Sequence, residues 1–482
     1  MADEDEVSVP VSEDNNIQTF NELKLSGWLL DRLRMIGIQK PSPVQRNCLP
    51  PILAGRDCIA CAKTGSGKTL AFALPLLEAL YKEPFGIFAL ILSPTRELAV
   101  QILEQFRILG KKVNLKDCLV VGGSDIVDQG RELAQRPHIV VATPGRLADH
   151  LQFTLDEIKP LLSKMRMVVL DEADQLLSGK YNDQLKTIFS ALPKKRQTLL
   201  FSATLTRTIQ EVQVLAMTDP FFYMAPSLVA TVEGLLQKII LTPDHAKDSY
   251  LIQLVKRFQE TNGKGLIIIF VGTRKKCQAL SIGMDSLGFR NVALHAQRSQ
   301  RERIAALAAF KSNAARILVA TDVAARGLDI PRVELIINHN VPSEPKLYVH
   351  RVGRTARAGA GGISVTMATP QDLHLVHEIE KHVGVKMCKH KVDDNEVVKI
   401  MTQVNVAIRE AEIRMDETDF EERQLIYKRK RLLLKNQELL GKPRRADEKQ
   451  PNRKENAKKA KRKGKPLNEK MPKTKLKTAA VS

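Results

Sequence analysis

Ala62-Lys63-Thr64-Gly65-Ser66-Gly67-Lys68-Thr69, set between an apolar run from Asp57 to Ala62 and a helical stretch from Leu70 to Leu80, decides the fold. Strand, glycine-rich turn and helix in that order make a phosphate-binding loop. Gly65 and Gly67 let backbone N–H groups close around phosphate oxygens, Lys68 reaches the terminal phosphates, and the Thr69 hydroxyl can ligate magnesium. What the loop lacks follows the strand from Met167 to Leu170, where Asp171-Glu172-Ala173-Asp174 stands. Asp171 can hold the magnesium, directly or through water, and Glu172 can orient and deprotonate an attacking water. Loop and carboxylates together read as a nucleoside-triphosphate hydrolysis site.

Outward from this site, two blocks alternate strands with helices. The first has β-rich runs at Ile87 to Leu92, Cys118 to Val121, His138 to Ala142, Met167 to Leu170 and Thr198 to Phe201. The second repeats the rhythm at Leu266 to Val271, Val292 to His295, Ile317 to Ala320, Leu335 to Asn338 and Ile363 to Met367. Continuous apolar strands separated by helices predict parallel sheets covered on both faces, hence two α/β domains. The stretch from Asp219 to Ser227, with Pro220 and Pro226, is expected to carry the break between them. Ligands bind at the carboxyl ends of strands in such sheets, and the motifs all follow strands. Beyond Met387, the spacing of Val397, Met401, Val404, Ile408 and Ala411 predicts a helix with one face on the second domain. The charged run from Arg409 to Arg431 reads as a solvated helix face.

The formal net charge is +21, and +16 of it lies between Lys428 and Ser482, where 21 Lys and Arg face 5 Asp and Glu. A segment of that composition buries too little surface to fold alone, so a mobile basic arm is expected. The acidic start from Met1 to Glu6 and the lack of any run near eighteen apolar residues argue against a secretory signal and a membrane span. Six scattered cysteines do not make a disulfide framework. Cys58 and Cys61 form a C-x-x-C, but an odd offset within a strand points them to opposite faces and no second pair follows. They read as small buried apolar residues, not a zinc or redox pair. His295, His339 and His350 stand at separate strand ends and read as packing or hydrogen-bonding groups, not metal ligands.

Further motifs converge on one family. Gly37-Ile38 precedes Pro41-Ser42-Pro43-Val44-Gln45, with the isolated aromatic Phe20 upstream. Pro94-Thr95-Arg96-Glu97-Leu98, Gly122-Gly123, Thr143-Pro144-Gly145-Arg146 and Ser202-Ala203-Thr204 follow. The second block adds Gln300 to Arg303, Ala320-Thr321-Asp322 to Asp329, and His350-Arg351-Val352-Gly353-Arg354-Thr355-Ala356-Arg357. With the phosphate loop and Asp171-Glu172-Ala173-Asp174, these make the chain resemble the DEAD-box family of ATP-dependent RNA helicases, from about Phe20 to about Met387. The resemblance implies an α/β chain of two tandem RecA-like parallel-sheet domains, an ATP-binding one over 17–222 and a C-terminal helicase one over 223–386. Around them it implies a disordered acidic N-terminus over 1–16, a helical extension over 387–440 and a basic disordered tail over 441–482.

The same resemblance implies roles, each with a physical sense. A glutamine side chain both donates and accepts, so Gln45 can read the N6/N7 edge of adenine while Phe20 stacks on the ring. ATP is then the nucleotide and Mg2+ its cofactor, with residues Ala62 to Thr69 as the cradle and Asp329 on the ribose. Arg354 and Arg357 can project planar guanidinium groups onto the γ-phosphate as arginine fingers, so that hydrolysis depends on domain closure. Asp174, Ser202 and Thr204 are expected to couple the carboxylate loop to that closure. Thr95, Arg96, Gly122, Gly123, Thr143, Arg146 and Thr321 are expected to hold RNA by its backbone, with little sequence preference. Ala62 replaces the first glycine of the general phosphate loop, and Ala356 stands where many members carry glycine; both arginines stay in place.

Within the family, Ala142 to Leu151, the Thr355-Ala356-Arg357 variant and Thr402-Gln403-Val404-Asn405-Val406 resemble a nucleolar member serving ribosome assembly. That implies a nuclear and nucleolar location, precursor ribosomal RNA as partner, no membrane, and a monomer working with protein cofactors. The activity implied is RNA-stimulated ATP hydrolysis that drives clamping and local strand separation. An ATP-gated RNA clamp that seldom unwinds is the alternative, and intact Glu172, Arg354 and Arg357 favour turnover over it. A DNA helicase is set aside on the resemblance alone.

Overall fold

The computed structural model describes residues 17–417 apart from 64, 154, 205–216, 226–233, 264, 323–329, 331–332 and 356–360, with the side chains of 155 and 156 also undescribed. The expected disordered N-terminus and basic tail, and the end of the helical extension, lie outside these residues. The first sheet gathers β1 (Cys58–Cys61), β2 (Ala89–Leu92), β3 (Asp117–Val120), β4 (Ile139–Ala142), β5 (Met167–Asp171), β6 (Gln197–Ser202) and β7 (Phe221–Met224). Their order is β3-β4-β2-β5-β6-β1-β7, with every neighbouring pair parallel. The second holds β8 (Leu235–Leu241), β9 (Ile267–Phe270), β10 (Asn291–Leu294), β11 (Ile317–Ala320), β12 (Leu335–Asn338), β13 (Gly362–Ala368) and β14 (Cys388–Lys389). It runs β10-β11-β9-β12-β13-β8-β14, again all parallel. Counted from its own first strand, that is the order of the first sheet.

Parallel strands need crossovers, and helices supply them. The described helices of the first half are α1 (Gly27–Met35) and α2 (Pro43–Leu53), which precede β1, and α3 (Lys68–Lys82), α4 (Arg96–Leu109), α5 (Ile126–Ala134), α6 (Pro144–Phe153), α7 (Leu155–Leu162), α8 (Ala173–Leu176) and α9 (Asn182–Ala191), which lie between strands. Those of the second are α10 (Lys247–Asn262), α11 (Arg274–Ser286), α12 (Gln300–Lys311), α13 (Pro345–Val352) and α14 (Leu373–Val383) between strands, and α15 (Asp394–Glu417) after β14. Helices on both faces explain why β1, β2, β4 and β5 are buried at every residue and read as unbroken apolar runs. Alternate residues feed opposite cores: Ile91, Val169, Leu199 and Phe201 pack with Phe72 and Phe106 on one side, Leu90, Leu170 and Leu200 with Ile188 on the other. Cys58 belongs to the first of these clusters and Cys61 to the second, so the C-x-x-C is split across the sheet.

The stretch from Asp219 to Ser227, expected as a break, instead carries β7, which extends the first sheet beside β1. Its flanking Pro220 lies outside the strand, and an edge strand tolerates proline because one row of N–H groups needs no partner. The predicted C-terminal helix is α15. Val397, Val404, Ile408 and Ala411 are buried on it, and it packs along α10 and α11. The fit is close: a Cβ on Gly283 of α11 would meet Ile408 Cδ1 at 2.6 Å. Tyr250 donates to Asp394 Oδ1 at 2.6 Å and fixes the start of α15 on α10. Among the described residues no helix is long and apolar enough to cross a membrane.

Candidate ATPase and RNA-binding site

The strand order sorts the candidate residues into two groups. β5, β6 and β1 are neighbours, and their carboxyl ends lead to Asp171-Glu172, Ser202-Ala203-Thr204 and the phosphate loop. β3, β4 and β2 are neighbours too, and lead to Gly122-Gly123, Thr143 and Thr95-Arg96. One end of one sheet therefore offers two adjacent tracks, split between β2 and β5.

On the first track the loop turns back through Gly65 (φ 80°) and Gly67 (φ 92°), a left-handed conformation that favours glycine. Gly67 is also sterically obligatory, since a Cβ there would sit 2.4 Å from Gln45 Nε2. Lys68 is buried and donates from Nζ to Ala62 O at 2.7 Å and Ser202 O at 3.0 Å, which ties the loop to β6. The Ser66 hydroxyl is buried without a hydrogen-bond partner. An orphaned hydroxyl, two left-handed glycines and an inward lysine fit a polyphosphate. Thr64 lies outside the described residues, and Lys63 and Thr69 flank the loop at its two ends.

Gln45 is buried and doubly engaged: its Oε1 accepts from Ser42 N at 3.0 Å, capping α2, and its Nε2 donates to Gly67 O at 3.0 Å. One amide hydrogen and one lone pair remain for a base edge. Phe20 is 4% exposed and packs into the same core as Leu23 and Leu49. Its contribution here is packing, and stacking on adenine rests on the resemblance.

Asp171 ends β5 and Glu172 follows with φ 51° and ψ 51°, a left-handed conformation that costs a non-glycine residue about 1–3 kcal/mol. Such strain persists where the surroundings over-determine it. Burial pushes the Asp171 carboxyl up to about 6 against the pull of Lys68. Burial, then the neighbouring Asp171 charge, pushes Glu172 up to about 7, while Arg354 and Lys68 pull it down. Asp174 Oδ2 accepts from the Thr204 hydroxyl at 2.8 Å. The Ser202 hydroxyl donates to Thr204 O at 2.7 Å and shapes the Ser202-Ala203-Thr204 turn, from which the Thr204 hydroxyl reaches the carboxylate loop. Sequence reading passed over Gln175, whose Nε2 donates to Glu172 Oε2; a lone glutamine on a helix gives no spacing signal.

The second half reaches this track through α13. Arg354 is 2% exposed and close enough for its charge to act on Glu172. Its neighbour Arg351 is clamped by Asp322 at 2.5 and 2.8 Å, by Asn338 Oδ1 at 3.2 Å and by Asn340 O at 2.7 Å, a bidentate pair plus two carbonyl acceptors. Arg357 and Asp329 lie outside the described residues.

On the second track Thr95 caps α4 by accepting from Leu98 N at 3.3 Å, a contact worth about 1 kcal/mol. The guanidinium of Arg96 lies on Gly122 and Gly123, where added Cβ atoms would stand 2.7 and 2.5 Å from its Nη2 and Nη1. Arg146 donates to Ser124 O at 2.8 Å and Gln129 Oε1 at 3.3 Å, beside Thr143 at the end of β4. Thr321 follows directly after β11 in the second sheet. The halves also meet directly: Arg303 Nη2 of α12 pairs with Glu97 Oε2 of α4 at 2.7 Å, and Gln300 Nε2 donates to Glu97 Oε1 at 3.2 Å. The pair is buried, with side chains 7% and 1% exposed. The motifs were visible in sequence, but not that Glu97 and Arg303 join. His295 and His339 meet Gln278 and Asp248, each at 2.9 Å.

The chain matches the model of the DEAD/DEAH box helicase family over residues 42–212 and that of the helicase conserved C-terminal domain over 246–359. It is similar to the Homo sapiens protein named probable ATP-dependent RNA helicase DDX49, 52% identical over 422 residues that cover 87% of each chain. It is 43% identical to the Schizosaccharomyces pombe ATP-dependent RNA helicase dbp8, over 86% of this chain and 93% of that one. Among solved structures, S. cerevisiae Dbp5 bound to RNA and ADP BeF3 matches with a TM-score of 0.70 at 29% identity, over 80% of this chain and 100% of that one. Mss116p bound to ssRNA and AMP-PNP matches at 0.73 and 29%, over 86% and 89%.

Proposed function

The chain belongs to the DEAD-box family of ATP-dependent RNA helicases, and from that premise we propose that it couples ATP hydrolysis to RNA clamping and local duplex unwinding in ribosomal RNA processing. The observation that carries the reading is the joining of the two halves beside the phosphate loop and the carboxylates: Arg303 of the second pairs with Glu97 of the first at 2.7 Å, and the buried Arg354 lies near enough for its charge to favour the ionised Glu172. Glu172 is the base that takes the proton of the attacking water, and Arg354, joined by Arg357, stabilises the charge that builds on the transferred phosphoryl group. Lys68 leaves its two backbone carbonyls for the terminal phosphates. Thr69 and Asp171 would hold Mg2+, which supplies neutralising charge to the phosphates. Gln45, Phe20 and Asp329 select and seat the nucleoside, and Thr204 with Asp174 transmits closure.

Thr95, Arg96, Gly122, Gly123, Thr143, Arg146 and Thr321 line the RNA backbone. The assignment to precursor ribosomal RNA, the nucleolar location and the action as a monomer with protein cofactors rest on the resemblance of the motifs, and the basic stretch beyond Lys428 suits an RNA partner. Residues 17–222 and 223–386 serve as the bulk of the two helicase domains, with β7 carrying the first sheet on to Met224 and β14 the second to Lys389. A strand-separation assay on matched RNA and DNA duplexes with ATP tests the reading. ATP-dependent separation of RNA duplexes only is the expected result. RNA-stimulated hydrolysis without separation would make the protein a clamp, and separation of both duplexes would overturn the RNA assignment.

A further inference from the structure

We propose that Gln175 is a positioning residue for hydrolysis, whose side-chain amide fixes the Glu172 carboxylate in the orientation from which it acts on water. The inference rests on Glu172 being the base. Glu172 is 4% exposed, and a buried carboxylate requires donors. Gln175 stands three residues on, in the short helix α8 that Glu172 precedes, and its Nε2 donates to Glu172 Oε2.

The donor is itself anchored. Gln175 N donates to Asp174 Oδ1 and to Glu172 O, both at 2.9 Å, while Asp174 Oδ2 takes the Thr204 hydroxyl at 2.8 Å. The amide thus rides on a turn tied to the end of β6, the same turn whose Ser202 carbonyl receives Lys68. Base, phosphate-loop lysine and the Ser202-Ala203-Thr204 turn form one connected unit, and Gln175 is the member that touches the reacting carboxylate.

The chemistry of an amide suits this place. Arg354 and Lys68 both attract the Glu172 carboxylate. Without a donor on its own helix, the carboxylate would swing into an ion pair with one of them and take two groups out of action together. A cation at 175 would hold the carboxylate but would stabilise its charge and weaken it as a base. A neutral amide orients it, lowers its basicity less than a cation would, and leaves Oε1 for the water.

The test uses the full chain with saturating RNA and reads single-turnover ATP hydrolysis over long time courses beside equilibrium ATP binding. Gln175→Met keeps length and volume without the donor. It should slow hydrolysis about tenfold or more, the rate equivalent of one hydrogen bond to a charged group, with ATP affinity within about twofold of wild type. In a Glu172→Gln background the same change should add nothing, because there is no longer a carboxylate to orient. Should Gln175→Met fail to bind ATP, Gln175→Asn, which pulls the amide back by one methylene, is read in the same way. An unchanged rate in the chosen variant, a loss confined to ATP affinity, or an equal loss in both backgrounds would overturn the proposal. Wild-type hydrolysis by Glu172→Gln alone would instead remove Glu172 as the base, so the two failures are told apart.

Discussion

The two sheets share one strand order, yet they end in different chemistry. Their second strands are followed by nearly the same cap: Thr95 and Thr273 adopt φ −126° and −128° and accept from Leu98 N and Lys276 N, with Arg96 and Arg274 next. Their first strands diverge. β1 runs into the glycine-rich phosphate loop, whereas β8 runs into Thr242-Pro243-Asp244 and a 3-10 turn. Proline has no N–H to offer a phosphate, so this turn cannot repeat the cradle. The fifth strands diverge too, into Asp171-Glu172 after β5 and His339-Asn340 after β12. On the proposed reading the duplicated scaffold holds one nucleotide site, and the second copy contributes Arg354, two residues beyond the end of α13, whose charge acts on Glu172. On that reading the phosphates are bound by one half and the chemistry is shared by both.

The largest expected effect breaks that division at Arg354. Arg354→Ala should lower RNA-stimulated hydrolysis by roughly 10³-fold or more while equilibrium ATP binding stays near wild type, because Lys68 and Gln45 belong to the first half. Full stimulation in this variant would mean that the first half is complete by itself. Next comes the direct bridge. Glu97→Gln breaks the buried pair with Arg303, and removing one partner of such a pair costs about 3–5 kcal/mol. RNA-stimulated hydrolysis should fall about 10²-fold, and the double variant Glu97→Gln with Arg303→Met should recover part of it. No recovery would show that Glu97 acts in some way other than through Arg303.

A smaller effect sharpens the role of the first half. Gln45→Ala should weaken ATP about tenfold or more and GTP less, as measured by competition binding, since both lose the support under Gly67 but only adenine loses its paired edge. Equal weakening would leave Gln45 as a capping and loop-supporting residue. The smallest effect concerns stability. Asp171 and Glu172 hold their protons more tightly folded than unfolded, because burial raises both carboxyls, to about 6 and about 7. Between the ordinary carboxylate range and those values the folded state binds more protons, so stability falls as pH rises through that window, and the cost is full above it. Glu172→Gln removes one such charge. Without nucleotide it should raise the thermal midpoint by about 2–4 °C at pH 8 and by less at pH 6, a difference that scanning fluorimetry can read.

Much of this architecture was legible in the chain. Strands buried on both faces, such as β2, β4, β9, β11 and β12, announce themselves as unbroken apolar runs. β7, β8 and β14 did not, because the first is framed by prolines, the second interrupts its apolar run with Gln237 and Lys238, and the third is two residues long. Lys68, Asp171 and Arg96 stand out in the sequence because phosphate and RNA chemistry calls for fixed residue types at fixed spacing. What spacing cannot convey is who touches whom. Ser202 turns onto Thr204 instead of the carboxylates, Phe20 is buried among leucines, and Glu97 meets a residue from the other sheet. These outcomes depend on packing between segments far apart in sequence.

The central claim is that ATP and RNA are read through one joining of the two halves, and thermodynamic linkage tests it most directly. The affinity of the full chain for single-stranded RNA is measured with and without a non-hydrolysable ATP analogue, and the affinity for the analogue with and without that RNA. The account predicts the same factor in both directions, about 5–150-fold, and its collapse toward unity in Arg303→Ala. A factor of one in the wild-type chain, or an undiminished factor in Arg303→Ala, would contradict it.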